Sequence, residues 1–283
     1  MIQCTSLLDT PEITIDRLGH PSDHPHHDPV EEVATVYAIS RVERGSFEIQ
    51  VGRQRWTLGP GSVFLCYPGL VHRYHHHQAN PVDVCVSVSY RSLPACVAED
   101  SALTNLASFA RQHQLVPPTN RLAYLFRQVA LRAPASQDRM ATESSAAALL
   151  TEISKGMAGR RKLYAKHQLA WYAERIDAVR NLLHTQYAAD HNLASLARSV
   201  GMSTFHFARI FTELAGMPPH RYLLGVRLEK AAYRLNQGSS VTEACFASGF
   251  SNLSHFIRSF RRRFGNPPGK HSGGPGQASR TPS

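Results

Sequence analysis

Cysteine is scarce and never paired: Cys4, Cys66, Cys85, Cys96 and Cys245 are scattered, with no Cys-x-x-Cys among them. An odd, dispersed set argues against a disulfide framework or a zinc knuckle and suits a reducing cytosol. Long apolar runs are missing as well. None approaches the ~18 residues a bilayer-spanning helix needs, and the first residues lack the basic start and apolar core of a signal peptide. A cytoplasmic protein with no membrane attachment is expected. Acidic residues are in short supply, 21 against 31 basic ones. The deficit is local: residues 168–270 hold 13 Lys/Arg and 6 Asp/Glu, whereas residues 1–167 hold 17 and 15. Such asymmetry implies a polyanionic partner for the C-terminal part, nucleic acid or an acidic membrane surface.

The 283 residues suggest about two domains. From about Val33 to Tyr90 the chain is strand-rich. Val33–Ser40 is β-branched and apolar; Phe47, Ile49 and Val51 alternate with polar residues, as do Val84, Val86, Val88 and Tyr90. Turn signals at Gly45, Gly52, Gly59-Pro60-Gly61 and Pro68-Gly69 punctuate these runs, which predicts a small barrel or jelly roll. Helical periodicity follows in Leu103–Ala110, in Leu122–Val129 and over Thr142–Ser154, and the small, basic stretch from Gly156 to Lys166 reads as a linker. A long helix from about Trp171 to Tyr187 opens the last part.

That last part carries one pattern twice. Gly201 is followed by Ser203, Phe207, Arg209, Phe211 and Gly216-x-Pro218-Pro219; Gly249 is followed by Ser251, Phe256, Arg258, Phe260 and Gly265-x-Pro267-Pro268. Each glycine supplies a tight turn, and four residues before it stands a small side chain, Ala197 or Cys245, where two helices cross. Asn192, Ser203 and Ser240 are placed to cap helices, the last as a Ser-x-x-Glu box with Glu243. Two helix-turn-helix units in a basic segment select DNA over a membrane surface. The exposed face of the first recognition helix is expected to present Phe205, His206, Ala208, Arg209 and Thr212. The second presents Asn252, Ser254, His255, Arg258, Arg261 and Arg262. Arg209 and Arg258 are the leading base readers, because a guanidinium pairs bidentately with guanine. Arg221, Arg227, Arg261, Arg262 and Arg263 suit phosphate contacts, which position without specifying.

Residues Ala170 to Pro268 resemble the DNA-binding domain of AraC-type bacterial transcription regulators. The resemblance is carried by Leu193-Ala-Ser-Leu-Ala-Arg-Ser-Val-Gly-Met-Ser203, Gly216-Met-Pro-Pro-His-Arg-Tyr-Leu-Leu224, Arg227-Leu-Glu-Lys-Ala-Ala232 and Gly249-Phe-Ser-Asn-Leu-Ser-His-Phe256. Ala244, Cys245, Leu253 and the ending Pro268-Gly-Lys-His271 depart from the usual pattern. The resemblance implies two helix-turn-helix subdomains joined by a helix over Pro219–Asn236, double-stranded DNA as partner, and activation through contact with RNA polymerase. Gly45-Ser-Phe, Gly52-Arg, Pro60-Gly-Ser-Val-Phe-Leu65 and Pro68-Gly-Leu-Val-His72 are similar to the cupin-like sensory barrels of that family. This implies a small-molecule effector inside the barrel and a homodimer formed through the barrel or the helices after it. The expected architecture is an α+β chain of two domains: a cupin-like β-barrel over 1–95 with a helical linker and dimerisation region over 96–166, then an all-α double helix-turn-helix domain over 167–271 and a disordered tail over 272–283.

Tyr37, Phe47, Trp56, Phe64 and His72 are the candidate pocket residues, equally explicable as barrel core. Histidines are plentiful, and His24-x-His26 with Glu31, together with His27, His72 and His75–His77, raises a metal-dependent cupin enzyme as an alternative. Yet Glu31 lies 14 residues before Gly45, farther than the enzyme pattern allows, and three adjacent histidines cannot all face one ion. The sequence reading therefore assigns no metal, no cofactor and no enzymatic activity. A constitutive regulator whose barrel serves only dimerisation is the other alternative.

Overall fold

The computed structural model describes residues 3–20, 30–76, 83–93, 100–133, 139–154 and 163–271. It divides into two compact units, Met1–Ala165 and Lys166–Ser283.

Among the described residues the first unit has ten strands: β1 (Gln3–Asp9), β2 (Ile13–His20), β3 (Glu32–Val33), β4 (Tyr37–Arg44), β5 (Phe47–Val51), β6 (Gln54–Leu58), β7 (Val63–Cys66), β8 (Val71–His76), β9 (Asp83–Tyr90) and β10 (Leu115–Val116). They form a six-stranded sheet in the order β1-β2-β9-β4-β7-β10 and a four-stranded sheet in the order β3-β8-β5-β6. Val42, Phe64 and Cys66 of the first sheet pack with Phe47, Ile49 and Leu58 of the second in one core. The run Val33–Ser40 is not one strand. The chain leaves the small sheet after Val33 and enters the large one at Tyr37. Between them Ala34 bonds the turn before β8: its N–H donates to Leu70 O at 2.9 Å and its carbonyl accepts from Gly69 N–H at 2.8 Å. Strands also begin earlier than the sequence pattern indicates, since β1 and β2 precede Val33. Alternation of Ile13 and Ile15 with polar neighbours marks β2, and both isoleucines are buried.

The pleat of the six-stranded sheet sorts its two faces. On β9, Val84, Val86, Val88 and Tyr90 alternate with Asp83, Cys85, Ser87 and Ser89. Register places Ile15 and Ile39 opposite Val88, on the apolar face. That face carries helices: the Tyr90 hydroxyl donates to Ala146 O at 2.6 Å, and burial pushes its ionisation far up, keeping it a donor. The helices are α1 (Asp100–Gln112), α2 (Asn120–Arg132) and α3 (Arg139–Ser154). Thr119 caps α2 by accepting from Leu122 N–H at 3.1 Å. The opposite face, with Ser40, Cys85 and Asp83, turns toward the four-stranded sheet.

The second unit is helical: α4 (Lys166–Thr185), α5 (Leu193–Ser199), α6 (Thr204–Ala215), α7 (Pro219–Asn236), α8 (Val241–Ala247) and α9 (Leu253–Phe264), with a 3-10 turn at Pro268–Lys270. α4 begins five residues before the expected Trp171, inside the basic stretch read as linker. The doubled sequence is a doubled packing scheme. Phe207 and Phe211 are fully buried with ring centroids 5.6 Å apart; Phe256 and Phe260 repeat the arrangement at 5.5 Å. Gly216 and Gly265 end their helices at φ 78 and 79, each donating its N–H one turn back to Thr212 or Arg261. Pro219 and Pro268 then open the next element at its first position, where a missing N–H costs nothing. Asn192 forms a reciprocal capping box with Ser195, and Ser240 accepts from Glu243 N–H. Ser203 occupies its cap position without a cap hydrogen bond, unlike the expectation.

The two turn glycines differ in surroundings. Gly201 has φ 66 and open space where a Cβ would go. Gly249 has φ 84, and a Cβ there would lie 2.7 Å from Ala188 Cα and 3.0 Å from Arg227 Nε. Gly201→Ala should therefore cost the backbone penalty alone, about 1–2 kcal/mol, or several degrees of Tm. Gly249→Ala adds a backbone collision and should lower Tm by clearly more, as thermal unfolding of the two variants will measure.

Candidate nucleic-acid interface and effector cavity

Each helix-turn-helix is braced by a short first helix. Ala197 and Cys245 are buried at the crossing, as small side chains must be, and Cys245 is raised by burial and remains a neutral thiol. The second helix then shows its other face. On α6, Phe205, Arg209 and Thr212 are exposed and Ala208 is half-buried, a stripe at i, i+4, i+7 and i+3. Phe205 is 82% exposed, a large cost in water for a residue with no packing role. His206 turns away from this stripe: its Nε2 lies 3.2 Å from the Tyr172 hydroxyl of α4. On α9, Ser254, His255, Arg258, Arg261 and Arg262 are all exposed. Asn252 stands just before the helix, where its Oδ1 accepts from His255 N–H at 2.9 Å, so one end of the amide is engaged as a cap. Ile257 shares this outer surface at 37% exposure and is missing from the face expected from the sequence. A shift of 49 residues places it at the position of Ala208, an equivalence that the repeat itself carries.

The arginines divide by what holds them. Among the described residues, Arg209, Arg258, Arg261 and Arg262 are tied to no carboxylate, whereas Arg263 pairs with Glu229 at 3.3 Å. Arg227 is different again, and its expected phosphate role does not fit. Its Nε donates to Tyr187 O at 2.7 Å and its Nη2 to Ala189 O at 2.9 Å, fastening α7 to the segment after α4. Burial lowers its pKa, partly offset by Asp190.

In the first unit a cavity of about 180 Å³ lies between the two sheets. Phe47 and Phe64 line it, with Leu18, Val42, Leu58 and Tyr74. Of the other expected pocket residues, Trp56 packs on the same core and His72 is buried beside Tyr74, ring centroids 5.0 Å apart, but neither lines the cavity. Tyr37 stands opposite Tyr90 on the face that carries the helices, where burial raises its pKa, partly offset by Arg111 of α1. Of the histidines weighed as metal ligands, His24, His26, His27 and His77 lie outside the described residues. His75 reaches Gln50 Oε1 at 3.0 Å and His72 Nε2 lies 3.8 Å from Glu32. Among the described residues no group of three His, Cys, Asp or Glu side chains is placed to hold a metal ion. Nor is any helix among them long and apolar enough to cross a membrane.

A cavity-bearing barrel on one unit and two helix-turn-helix pairs on the other define an effector-binding, DNA-binding transcription regulator. Comparison with known proteins gives the same two parts. A family described as the AraC-like ligand binding domain matches residues 19–153, and a helix-turn-helix domain family matches residues 196–272. The HTH-type transcriptional regulator YbfI of Bacillus subtilis is 24% identical over 224 residues, 77% of this chain and 78% of its own length. The HTH-type transcriptional activator RhaS of Pectobacterium carotovorum is 36% identical over 96 residues, which is 33% of this chain and 34% of RhaS. Among solved structures, an AraC-type DNA-binding regulator from Chromobacterium violaceum is 26% identical, with a TM-score of 0.35, covering 38% of this chain and 99% of that one. The chain belongs to the AraC-type family of transcription regulators.

If Arg227 is a fastener, Arg227→Ala should lower the stability of the second unit by about 1.5–3 kcal/mol, the range for charged hydrogen bonds. The salt dependence of DNA binding should keep its slope. Urea unfolding and binding titrations at several salt concentrations check both.

Proposed function

We propose that this regulator reads two unlike major-groove half-sites, one with each recognition helix, and activates transcription when its barrel holds a small-molecule effector. The observation that carries the reading is the pair of outward stripes, Phe205/Ala208/Arg209/Thr212 and Ser254/Ile257/Arg258/Arg261, at the same place on a repeated scaffold, with exposed Arg262 beside the second. Both include arginines that no carboxylate neutralises among the described residues. α7, with 18 residues, spans ~27 Å between the halves, of the order of one DNA turn. Arg209 and Arg258 read bases, with Phe205 against a thymine methyl in the first half-site and His255 as a further base contact in the second. Asn252, Arg261 and Arg262 meet the backbone, and His206 braces α6 from its inner side.

Activation is supported by RhaS, named a transcriptional activator, and would run through contact with RNA polymerase. The relatives are named transcriptional regulators, which supports a chain without enzymatic activity. A homodimer in the cytoplasm belongs to the same reading.

Genome-wide site mapping followed by binding titrations tests this. Arg209→Ala should lose about 1–3 kcal/mol of discrimination at one base position. Arg262→Ala should weaken all sequences alike and reduce the log–log salt slope by about 0.9. An unchanged base preference in Arg209→Ala would remove its assigned role.

A further inference from the structure

We propose that the barrel cavity takes a small organic cation, an ammonium head on a compact apolar body; the proposal rests on reading the barrel as the effector domain. Size comes first. A cavity of about 150 Å³ admits benzene, so this one, at about 180 Å³, suits roughly seven or eight non-hydrogen atoms. Its wall is mostly apolar, and Phe47 and Tyr74 meet edge to face at 5.8 Å, rings able to attract a cation.

The sign of charge follows from the pleat. Asp83 shares the cavity face of β9 with Cys85 and lines the cavity from the large sheet; Glu32 lines it from the small one. Among the described residues that line it there is no lysine, arginine or histidine. His72 lies 3.8 Å from Glu32 but is not one of them. Asp83 is held in place: its Oδ1 accepts from Ser46 N–H at 2.7 Å, and a Cβ at Gly45 would collide with it. The thiols add no charge. Burial first, then Glu43 and Asp83, pushes Cys85 up to about 12; burial and then Glu32 does the same for Cys66. Among the described lining residues an anionic effector would meet two acidic side chains, Asp83 and Glu32, and no cationic one. A polyol would meet few open partners, since the Ser40 hydroxyl is bonded to Ser87 at 2.9 Å and Tyr74 to Cys66.

Calorimetric titration of the full chain with benzylamine, benzyl alcohol and benzoate separates charge from shape, because the three share one ring. Benzylamine should bind at least tenfold tighter than benzyl alcohol, and benzoate should not saturate. Glu32→Gln, at a half-exposed position, should reduce benzylamine affinity about tenfold while leaving benzyl alcohol unchanged. Asp83→Asn should act likewise, its melting temperature reporting any loss of the Ser46 turn. Leu58→Trp, which fills the cavity, should abolish binding. Equal or tighter binding of benzoate, no saturable binding of benzylamine, or an unaltered Glu32→Gln affinity would each overturn the proposal. Capture of genomic DNA fragments by the same preparation tests the regulator reading separately: specific capture without amine binding sinks only the cation, and loss of specific capture sinks the regulator reading itself.

Discussion

The close approach of Gly249 to Ala188 is the constraint on which the DNA-binding unit depends. There the turn of the second helix-turn-helix meets the segment after α4, with no room for a side chain between backbones. Arg227, from the middle of α7, donates to the carbonyls of Tyr187 and Ala189 at the same place. Arg234 adds a bond to the Tyr187 hydroxyl, and Lys230 lies over its ring. Three successive turns of α7 are thereby fixed to the end of α4. Two helix-turn-helix pairs joined by one helix would otherwise rotate about it, and a few degrees at its ends displaces a recognition helix by ångströms. The clamp makes the two halves one reading head.

Outward from that clamp, the two halves use the same parts. In both, buried phenylalanines fix the recognition helix, a left-handed glycine ends it, and a proline starts the next element. His206 and His255 mark where the copies separate. The first is drawn inward by Tyr172, the second faces solvent near Ser259. Such divergence is cheap because the helix is already held by its opposite face. A scaffold that leaves one face energetically idle lets that face change without loss of fold.

Much of this was legible in the sequence because it rests on residues with few alternatives. A glycine with positive φ, a proline at a helix start and a pair of phenylalanines one turn apart keep their meaning in almost any context. The barrel was harder to read. Its most regular alternation, Val84 to Tyr90, marks the face that packs on helices, so apolar pattern pointed away from the cavity. Tyr37 was assigned to the pocket for its aromatic character, but pairing register with Tyr90 decides its side, and register is a long-range property. Arg227 misled in the same way: an arginine in a basic segment looks like a phosphate ligand until the carbonyls it serves are brought to it by the fold. Exposed β1, with little apolar alternation, gave no signal at all.

The same sheet shows why the cavity and the core do not compete. A two-residue period gives each strand two independent surfaces, and here apolar side chains are buried on both: Val42, Phe64 and Cys66 against the four-stranded sheet, others on the face that carries the helices. Ile15, Ile39 and Val88 there are fully buried. Serine, cysteine and aspartate can then stand on the other surface without depriving the fold of its apolar support. Asp83 is the costly member, a carboxylate 6% exposed. Its cost is met locally by the Ser46 N–H and by a turn that only Gly45 can make at that distance. The turn and the carboxylate hold one another: an alanine at Asp83 would remove the acceptor of Ser46 N–H, while Gly45 would keep its φ of 74 and its close approach, 2.8 Å from a Cβ, to the Asp83 Cα. Asp83 thus has a place in the fold through the Ser46 turn, and under the proposed effector chemistry the same residue would set the charge at the edge of the cavity.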